Sequence, residues 1–433
     1  MLKGYKEYKK INVPWLKSIP SHWDIKRAKG IFFPVNERSQ KGKEELLSVS
    51  SKYGVIKRKN ANVTMFMADS YENYKLCWEN DLVINSLWAW QTGLGFSSYH
   101  GIISTAYSVF RLKNLDNNCR FLHYLLRGTD YQWELQVRSK GIWRSRYQLS
   151  DNSFLDSPII LPPRLEQDQI VRYLDWKLSM INTYINAKKK QIELLKEQKQ
   201  TIVNEMVTSG GKNWEKIPLR KFLRPVAERN RADLPLLSVV REQGVILRDI
   251  DNYEDNHNFI PDDLSNYKVV YAGQFVMNKM KAWQGSYGVS AYDGIVSPAY
   301  YVFNLVCDCV DFFHIAIRSR YYINKFAQHS IGIRIGQWDL PIDRIKEISF
   351  LLPPLTEQHS VVEYINKQCA FINKLIKVLN SEIVLFTEYR TRLISDVVTG
   401  KVDVQGEKVP EFAVENENSP GIRQETEGDI DDE

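Results

Sequence analysis

One unit of about 190 residues is written twice along this chain, and that duplication limits what it can fold into more than any other feature. Leu161-Pro162-Pro163 returns as Leu352-Pro353-Pro354, followed in both places by Glu-Gln (Glu166-Gln167 and Glu357-Gln358). The 191-residue offset then holds without a gap to Val207-Thr208 and Val398-Thr399. Upstream, Trp23 answers Trp214, Leu46-Leu47-Ser48-Val49 answers Leu236-Leu237-Ser238-Val239, and Gly54-Val55-Ile56 answers Gly244-Val245-Ile246. Asn85 with Ala89-Trp90-Gln91 recurs as Asn278 with Ala282-Trp283-Gln284, and His123 and Gly141-Ile142 recur as His314 and Gly332-Ile333. Offsets stay between 190 and 193 throughout, which chance does not produce.

Each unit has two parts. In the first, short apolar runs alternate with Gly, Asn and Asp, as strands and turns do. Residues 46–49, 81–84, 102–103, 107–112 and 157–161 read as strands, and residues 121–136 as one helix. That mixture predicts a compact α+β domain. The second part is a long helix. With Val171 at heptad position a, the first seam contains Leu174, Leu178, Ile181, Ile185, Ile192 and Leu195, and nine of its eleven a and d positions are apolar. The same frame in the second copy contains Ile365, Ile372, Ile376, Ile383, Phe386 and Leu393, with ten of eleven apolar. Six heptads without an interior Gly or Pro are the pattern of a coiled coil. The prolines sit just ahead of the helices, where they are tolerated, and Gly210 and Gly400 end them. The prediction is two tandem-repeated α+β domains separated by two long helices that form an antiparallel coiled coil. The domains span residues 1–160 (with an N-terminal arm) and 211–351, and the helices span 161–210 and 352–400. Residues 401–433 form an acidic tail that reads as disordered. Lys199 and Arg390 occupy equivalent seam positions, a polar exception in each copy, and each is read as a side chain snorkelling out of a fraying helix end rather than as a register device.

Composition enters through charge. The net +6 of the 433 residues hides a division: residues 411–433 carry nine acids and one base, so the rest of the chain is near +14. Residues 1–165 alone hold 25 bases against 14 acids, as a polyanion partner requires, because each neutralised phosphate releases counterions. A chain 43% hydrophobic and 25% charged is globular, and it has no secretory signal and no stretch of the ~20 apolar residues a membrane helix needs. Five cysteines without paired spacing fit reduced thiols.

Catalytic signatures are absent: no P-loop, no HExxH, no dinucleotide GxGxxG and no zinc-like Cys/His cluster. The Pro-Pro pairs lack the polar and aromatic neighbours of an amino-methylating loop. His123 and His314 lie on apolar helical stretches and read as satisfied core histidines. No catalytic or metal residue is expected.

Two segments are candidates for touching nucleic acid. The sharper one places Arg138, Lys140, Arg144 and Arg146 within nine residues free of acids, interleaved with Trp143 and Tyr147 and followed by Gln148. Arg supplies a planar fork for guanine or phosphate. Its counterpart keeps Arg334 and adds Gln337, suited to adenine. The second candidate is Asn85, Trp88 and Gln91, matched by Asn278, Lys279, Lys281 and Gln284. Residues shared between the copies fit building the domain or gripping backbone. Those that differ, such as Trp88 against Lys281, are better placed to read different bases. Two unlike readers on a rigid spacer predict an asymmetric, bipartite duplex target. One heptad is ~10 Å and one base-pair step ~3.4 Å, so an added heptad should move the half-sites by about three base pairs.

The two Leu-Pro-Pro…Glu-Gln entries, the long helices after them and the divergent domains ahead of each resemble the specificity subunit of type I restriction-modification enzymes, over nearly the whole chain to about Thr399. The resemblance implies a non-catalytic, prokaryotic and cytoplasmic DNA-binding subunit with two target-recognition domains. It also implies two modification subunits docked on the helices, which use S-adenosylmethionine to methylate adenine N6 in each half-site, and two restriction subunits with ATP- and magnesium-dependent translocation and cutting. The acidic tail has no counterpart in that picture. A stand-alone or orphan bipartite DNA binder, and a coiled-coil scaffold without DNA specificity, are the alternatives. The scaffold leaves the +11 front domain and the Arg/Trp/Gln segments unexplained.

Overall fold

The structure is a computed structural model that describes residues 3–60, 70–114, 116–141, 147–211, 213–248, 261, 263–332 and 338–412. It forms two compact units. One takes in the described residues up to Ala187 together with those from Ser381 onward, and the other is Lys188–Asn380. Each unit therefore holds one half of each long helix, Arg164–Thr208 and Leu355–Val398.

The two units are built alike. In the first, a four-stranded antiparallel sheet runs in the order Phe32–Val35, Tyr107–Leu112, Leu82–Asn85, Leu94–Phe96. In the second, the order is Leu223–Val226, Tyr300–Leu305, Phe275–Asn278, Tyr287–Val289. Successive side chains of a strand point to opposite faces, and here both faces are covered. Leu82, Ile84 and Phe110 face a core shared with the helices Cys119–Arg127 and Thr129–Arg138. Val83 and Val109 face a smaller cluster with Leu47, Val55, Cys77 and Ile103, from the hairpin Leu47–Ser50/Gly54–Lys57 and the strand pair Lys75–Cys77/Gly101–Ile103. The second unit repeats the division, with Phe275, Met277 and Phe303 on the helix side and Val276, Val302, Leu237 and Val245 on the hairpin side. The continuous apolar reading of Asp81–Ile84 thus comes from a central strand buried on both faces.

The single helix expected over 121–136 is two helices. Gly128 is extended (φ −65°, ψ 149°) and serves as the C-cap of the first and the N-cap of the second, so the chain turns there and both helices can lie against the sheet.

The Leu-Pro-Pro…Glu-Gln repeat ties each domain to the start of its helix. Gln167 Nε2 donates to the Pro162 carbonyl at 2.8 Å and Gln358 Nε2 to that of Pro353 at 2.8 Å. Glu166 accepts from Trp23 Nε1 at 2.9 Å, and Glu357 accepts from Trp214 Nε1 at 2.9 Å. In the first unit Glu166 also binds Tyr5 Oη (2.6 Å) and His22 Nε2 (2.7 Å). Burial pushes the Glu166 carboxyl up, but the hydrogen bonds from Tyr5, Gln405, His22 and Trp23 outweigh it and hold the group below its usual range. The residues after the second long helix complete this unit. Asp403 N donates to Lys3 O (2.9 Å), Tyr8 Oη donates to Gly400 O (3.0 Å), and Val404 is fully buried in the core.

Within each unit the helix halves pack antiparallel along the heptad seam. Leu174, Leu178, Ile181, Ile185, Ile192, Ile365, Ile372 and Leu393 are buried, and Leu195, Ile376, Ile383 and Phe386 are half-buried. Lys199 and Arg390 do not snorkel. Arg390 Nη1 donates to Asn182 Oδ1 at 3.0 Å in the first unit, and Lys199 Nζ donates to Asn373 Oδ1 at 3.1 Å in the second. Asn182 and Asn373 are themselves 191 residues apart, so the repeat carries a matched cross-helix pair, a placement that suits a register device.

Candidate nucleic-acid interface

Asn85 ends a central strand, and the seven residues after it form a loop closed by main-chain hydrogen bonds, with Asn85 N donating to Gly93 O and Gly93 N to Trp88 O. The Asn85 side chain is buried and accepts from Leu87 N at 3.2 Å, which shapes the loop instead of presenting an amide to a ligand. Trp90 folds back, donating Nε1 to Leu87 O at 3.0 Å, while Trp88 is 53% exposed and stacks at 6.3 Å on Trp90. The second unit builds the same loop. Asn278 accepts from Met280 N (3.1 Å), Trp283 Nε1 donates to Met280 O (3.2 Å), and Lys281 stands exposed where Trp88 stands in the first unit. Gln91 and Gln284 occupy equivalent half-buried places on these loops.

The two sequence candidates in each domain meet here. Lys140 and Gln148, both exposed, exchange main-chain hydrogen bonds at 3.0 Å, Leu149 N donates to Ser86 O, and the Tyr147 ring lies 6.0 Å from Trp90. In the second unit Ile331 and Asp339 exchange bonds at 2.8 Å, Leu340 N donates to Lys279 O, and Trp338 lies 5.1 Å from Trp283. Lys279 pairs with Asp339 at 3.1 Å. Arg144, Arg146, Arg334 and Gln337 lie outside the described residues. Arg138 is engaged within the protein: its guanidinium pairs with buried Glu134 and donates to Ser153 O, so it braces the helix end beneath the loop.

A third segment joins this surface, one not singled out from sequence. Arg127 Nη1 donates to Leu94 O (2.6 Å) and Thr92 O (3.2 Å), and Nη2 donates to Ser51 O (2.8 Å) and Lys52 O (2.9 Å). One guanidinium therefore fastens the tip of the hairpin at residues 51–53 to the Trp88 loop. Arg318 fastens the second tip to the strand Tyr287–Val289, which follows the Lys281 loop, through Arg241 O (2.9 Å), Glu242 O (2.8 Å) and Tyr287 O. The signal was present in the sequence as His-x-x-x-Arg in both copies, His123 with Arg127 and His314 with Arg318. The histidines are packing residues. Their Nδ1 atoms accept from Phe96 N (3.3 Å) and Val289 N (3.1 Å), and burial with the adjacent Arg pushes their pKa down to about 3 and about 4.

Among the described residues no cluster of His, Cys, Asp or Glu could hold a metal ion, and no helix is long and apolar enough to cross a membrane. Each unit presents loops joined around aromatic and cationic side chains, the composition of a surface that meets a polyanion.

Comparison with known proteins agrees with that character. The type I restriction modification DNA specificity domain matches residues 20–194. Over those residues the chain is similar to this type I specificity family. The EcoDI specificity subunit of Escherichia coli is 20% identical over 414 residues, covering 84% of this chain and 90% of the relative. Among solved structures, one from a study of assembly and conformational transition of the type I R-M system superposes with a TM-score of 0.65 at 15% identity, covering 89% of this chain and 99% of the other. The HsdS subunit of Thermoanaerobacter tengcongensis gives a TM-score of 0.50 at 15% identity over 89% and 98%. At these identities the structures speak for the fold: two tandem mixed domains with long helices.

Proposed function

We propose that this chain is a type I specificity subunit that reads an asymmetric, bipartite duplex target, one half-site per unit, and scaffolds the other subunits of a restriction-modification complex in the prokaryotic cytoplasm. One observation carries the reading. The two units share a loop frame, down to Asn85/Asn278, Trp90/Trp283 and Arg127/Arg318, yet expose different side chains on it, Trp88 and Lys140 in one and Lys281 in the other. A common frame with different contact groups suits two readers that recognise different sequences by one docking geometry. Trp88 offers a flat apolar face, and Lys140 and Lys281 offer phosphate or guanine contacts.

The scaffold role rests on the long helices, whose outer faces expose apolar residues at heptad spacing beyond the internal seam: Met180 and Leu194 on the first, and Phe371, Val378 and Leu385 on the second. Two modification subunits dock there in this reading, with restriction subunits joining them. S-adenosylmethionine, ATP and magnesium are assigned to those partners, as is the extrusion of the target adenine from the stack for methylation.

The test is single-molecule methylation sequencing of DNA from cells expressing the full chain with a candidate modification subunit. The expected result is adenine methylation in two unlike blocks around a fixed unread gap. Methylation without a gap would overturn the bipartite reading. No methylation beyond control with a demonstrably active modification subunit would favour a stand-alone DNA binder, and a flat dependence of DNA affinity on salt would favour a scaffold for proteins alone.

A further inference from the structure

We propose that the two hairpin tips, residues 51–53 and 241–243, contact the DNA, the first gripping the backbone and the second setting base preference within its unit's half-site. This rests on the target-reading function above and adds to it residues that neither the sequence candidates nor the family match single out.

The first argument is the contrast between frame and tip. The hairpins Leu47–Ser50/Gly54–Lys57 and Leu237–Val240/Gly244–Leu247 pair in the same antiparallel register, Val49 opposite Val55 and Val239 opposite Val245. Their inner residues Leu47, Val55, Leu237 and Val245 are buried against the sheets. Between Val49 and Gly54, and between Val239 and Gly244, no residue is shared. Ser51-Lys52-Tyr53 faces Arg241-Glu242-Gln243 in the alignment of the copies, and all six are exposed.

The second argument is that the tips are held, not loose. Both hairpins enter the returning strand through a glycine of left-handed conformation, Gly54 at φ 74° and Gly244 at φ 80°. A Cβ at Gly54 would stand 3.1 Å from His123 Cε1, and one at Gly244 would stand 3.0 Å from Arg318 Nη1. Arg127 fastens the first tip to Thr92, at the end of the Trp88 loop, and to Leu94, and Arg318 fastens the second tip to Tyr287, on the strand that follows the Lys281 loop. A guanidinium committed to several carbonyls gives up rotamer freedom and solvent. That investment recurs in both units although the side chains it displays do not. A surface turn without a task needs no such fastening.

The third argument is chemical. Lys52 carries its ammonium 5.1 Å from the Tyr53 ring centroid, a cation beside a flat face that suits phosphate and sugar. In the other unit, Arg241 matches guanine O6 and N7, Gln243 matches adenine N6 and N7, and Glu242 can accept from cytosine N4. The first tip is a backbone grip and the second a base reader, so substitutions in the second should alter sequence preference more.

The experiment exchanges the second tip for the first in the full chain (Arg241→Ser, Glu242→Lys, Gln243→Tyr), co-expressed with the modification subunit, beside the unchanged chain and the single variants Arg241→Ala and Gln243→Ala. Methylation sequencing then gives the motif of each. The expected result is an unchanged first block and a second block relaxed or altered at one or two positions. Discrimination at those positions should fall roughly ten-fold, as expected on losing a bidentate base contact. If the exchange abolishes methylation, binding of the single-variant chains to duplexes altered one position at a time reads the same preference, with circular dichroism reporting the fold. An unchanged motif together with unchanged preference in both single variants would overturn the proposal. Failure of the unmodified chain to yield any bipartite motif would instead remove the target-reading function, a distinct outcome seen in the control.

Discussion

The two units close the same frame by different routes of the chain. In the second, the chain runs without a break from the first long helix through Gly210 to Trp214, whose indole donates to Glu357. In the first, the equivalent indole, Trp23, is reached from the N-terminal arm, and the helix end that belongs beside it is Val397–Gly400, nearly 400 residues away in sequence. The bond from Trp to Glu is 2.9 Å in both. What replaces covalent continuity in the first unit is packing: Tyr5 and His22 on Glu166, Tyr8 on Gly400, and Val404 in the core. A repeat can be cut anywhere along its path provided that the new ends carry enough buried surface and hydrogen bonds to stay together.

That contrast can be broken most forcefully at the indoles. Trp23 is fully buried and Trp214 half-buried. Trp23→Ala should cost the first unit about 3–5 kcal/mol, whereas Trp214→Ala should cost the second about 2 kcal/mol. Hydrogen exchange followed unit by unit measures each, and equal losses would mean that the N-terminal arm adds nothing that chain continuity does not already provide.

The arginines test whether the units remain equivalent where they share a frame. Arg127→Ala and Arg318→Ala should each cost about 2 kcal/mol, since charged donors are lost from several carbonyls. Each should weaken DNA binding through its own half-site, with the other block of the motif retained. Loss of both blocks in either variant would show that the units do not act independently.

Acid should act on both units by one mechanism. His123 and His314 have folded pKa values near 3 and 4, below the ordinary value of 6.5, because burial disfavours the imidazolium. The unfolded chain therefore binds protons that the folded chain refuses. Stability present above pH 6.5 is lost as pH falls from 6.5 towards 4 in the second unit and towards 3 in the first. Between pH 6.5 and 5 each histidine should remove about 2 kcal/mol. Denaturant midpoints measured at the two pH values, with and without His123→Gln, check the sign and size. An acid limb untouched by the substitution would assign it to other groups.

The smallest effect is expected at the seam. Asn182→Leu or Asn373→Leu removes the acceptor of Arg390 or Lys199 and should cost about 1 kcal/mol, because a long cation can turn back to water. The informative readout is pairing register, through cysteine cross-linking across the two helices. Unshifted cross-links would leave the pair a bystander.

Much of the architecture was legible in the sequence because it is periodic or duplicated. The heptads marked the long helices, and the strands at Leu82–Asn85 and Tyr107–Leu112 stood out as apolar runs between turn residues. The break at Gly128 was missed because Leu126 and Tyr131 continue the apolar spacing across it, and the glycine's extended backbone is decided by docking both helices on one sheet. Of the interface, Trp88, Lys140, Gln148 and Lys281 were visible as exposed types in unlike copies. Arg138 was misplaced because a run of bases does not reveal that buried Glu134, one helical turn back, claims one of them. Arg127 and Arg318 went unread because a lone Arg on an amphipathic helix looks like a solvated face until its carbonyl partners, some 30 to 80 residues away, fold over it.

By itself the sequence determined that the chain is one unit used twice, that each unit pairs an α+β domain with a heptad helix, and that its basic front half suits a polyanion. These are matters of local period, composition and self-similarity, which need no knowledge of distant contacts. Only the tertiary structure decided that each unit takes half of each helix, that the segments around Tyr5–Trp23 and Gly400–Val404 complete the first unit, that Arg390 and Lys199 reach across to asparagines, and that one arginine in each unit fastens the hairpin tip to the neighbouring sheet strand. Those outcomes depend on which buried donors find which acceptors across long sequence separations. A buried polar group must be satisfied wherever the fold brings a partner, and no local pattern records where that will be.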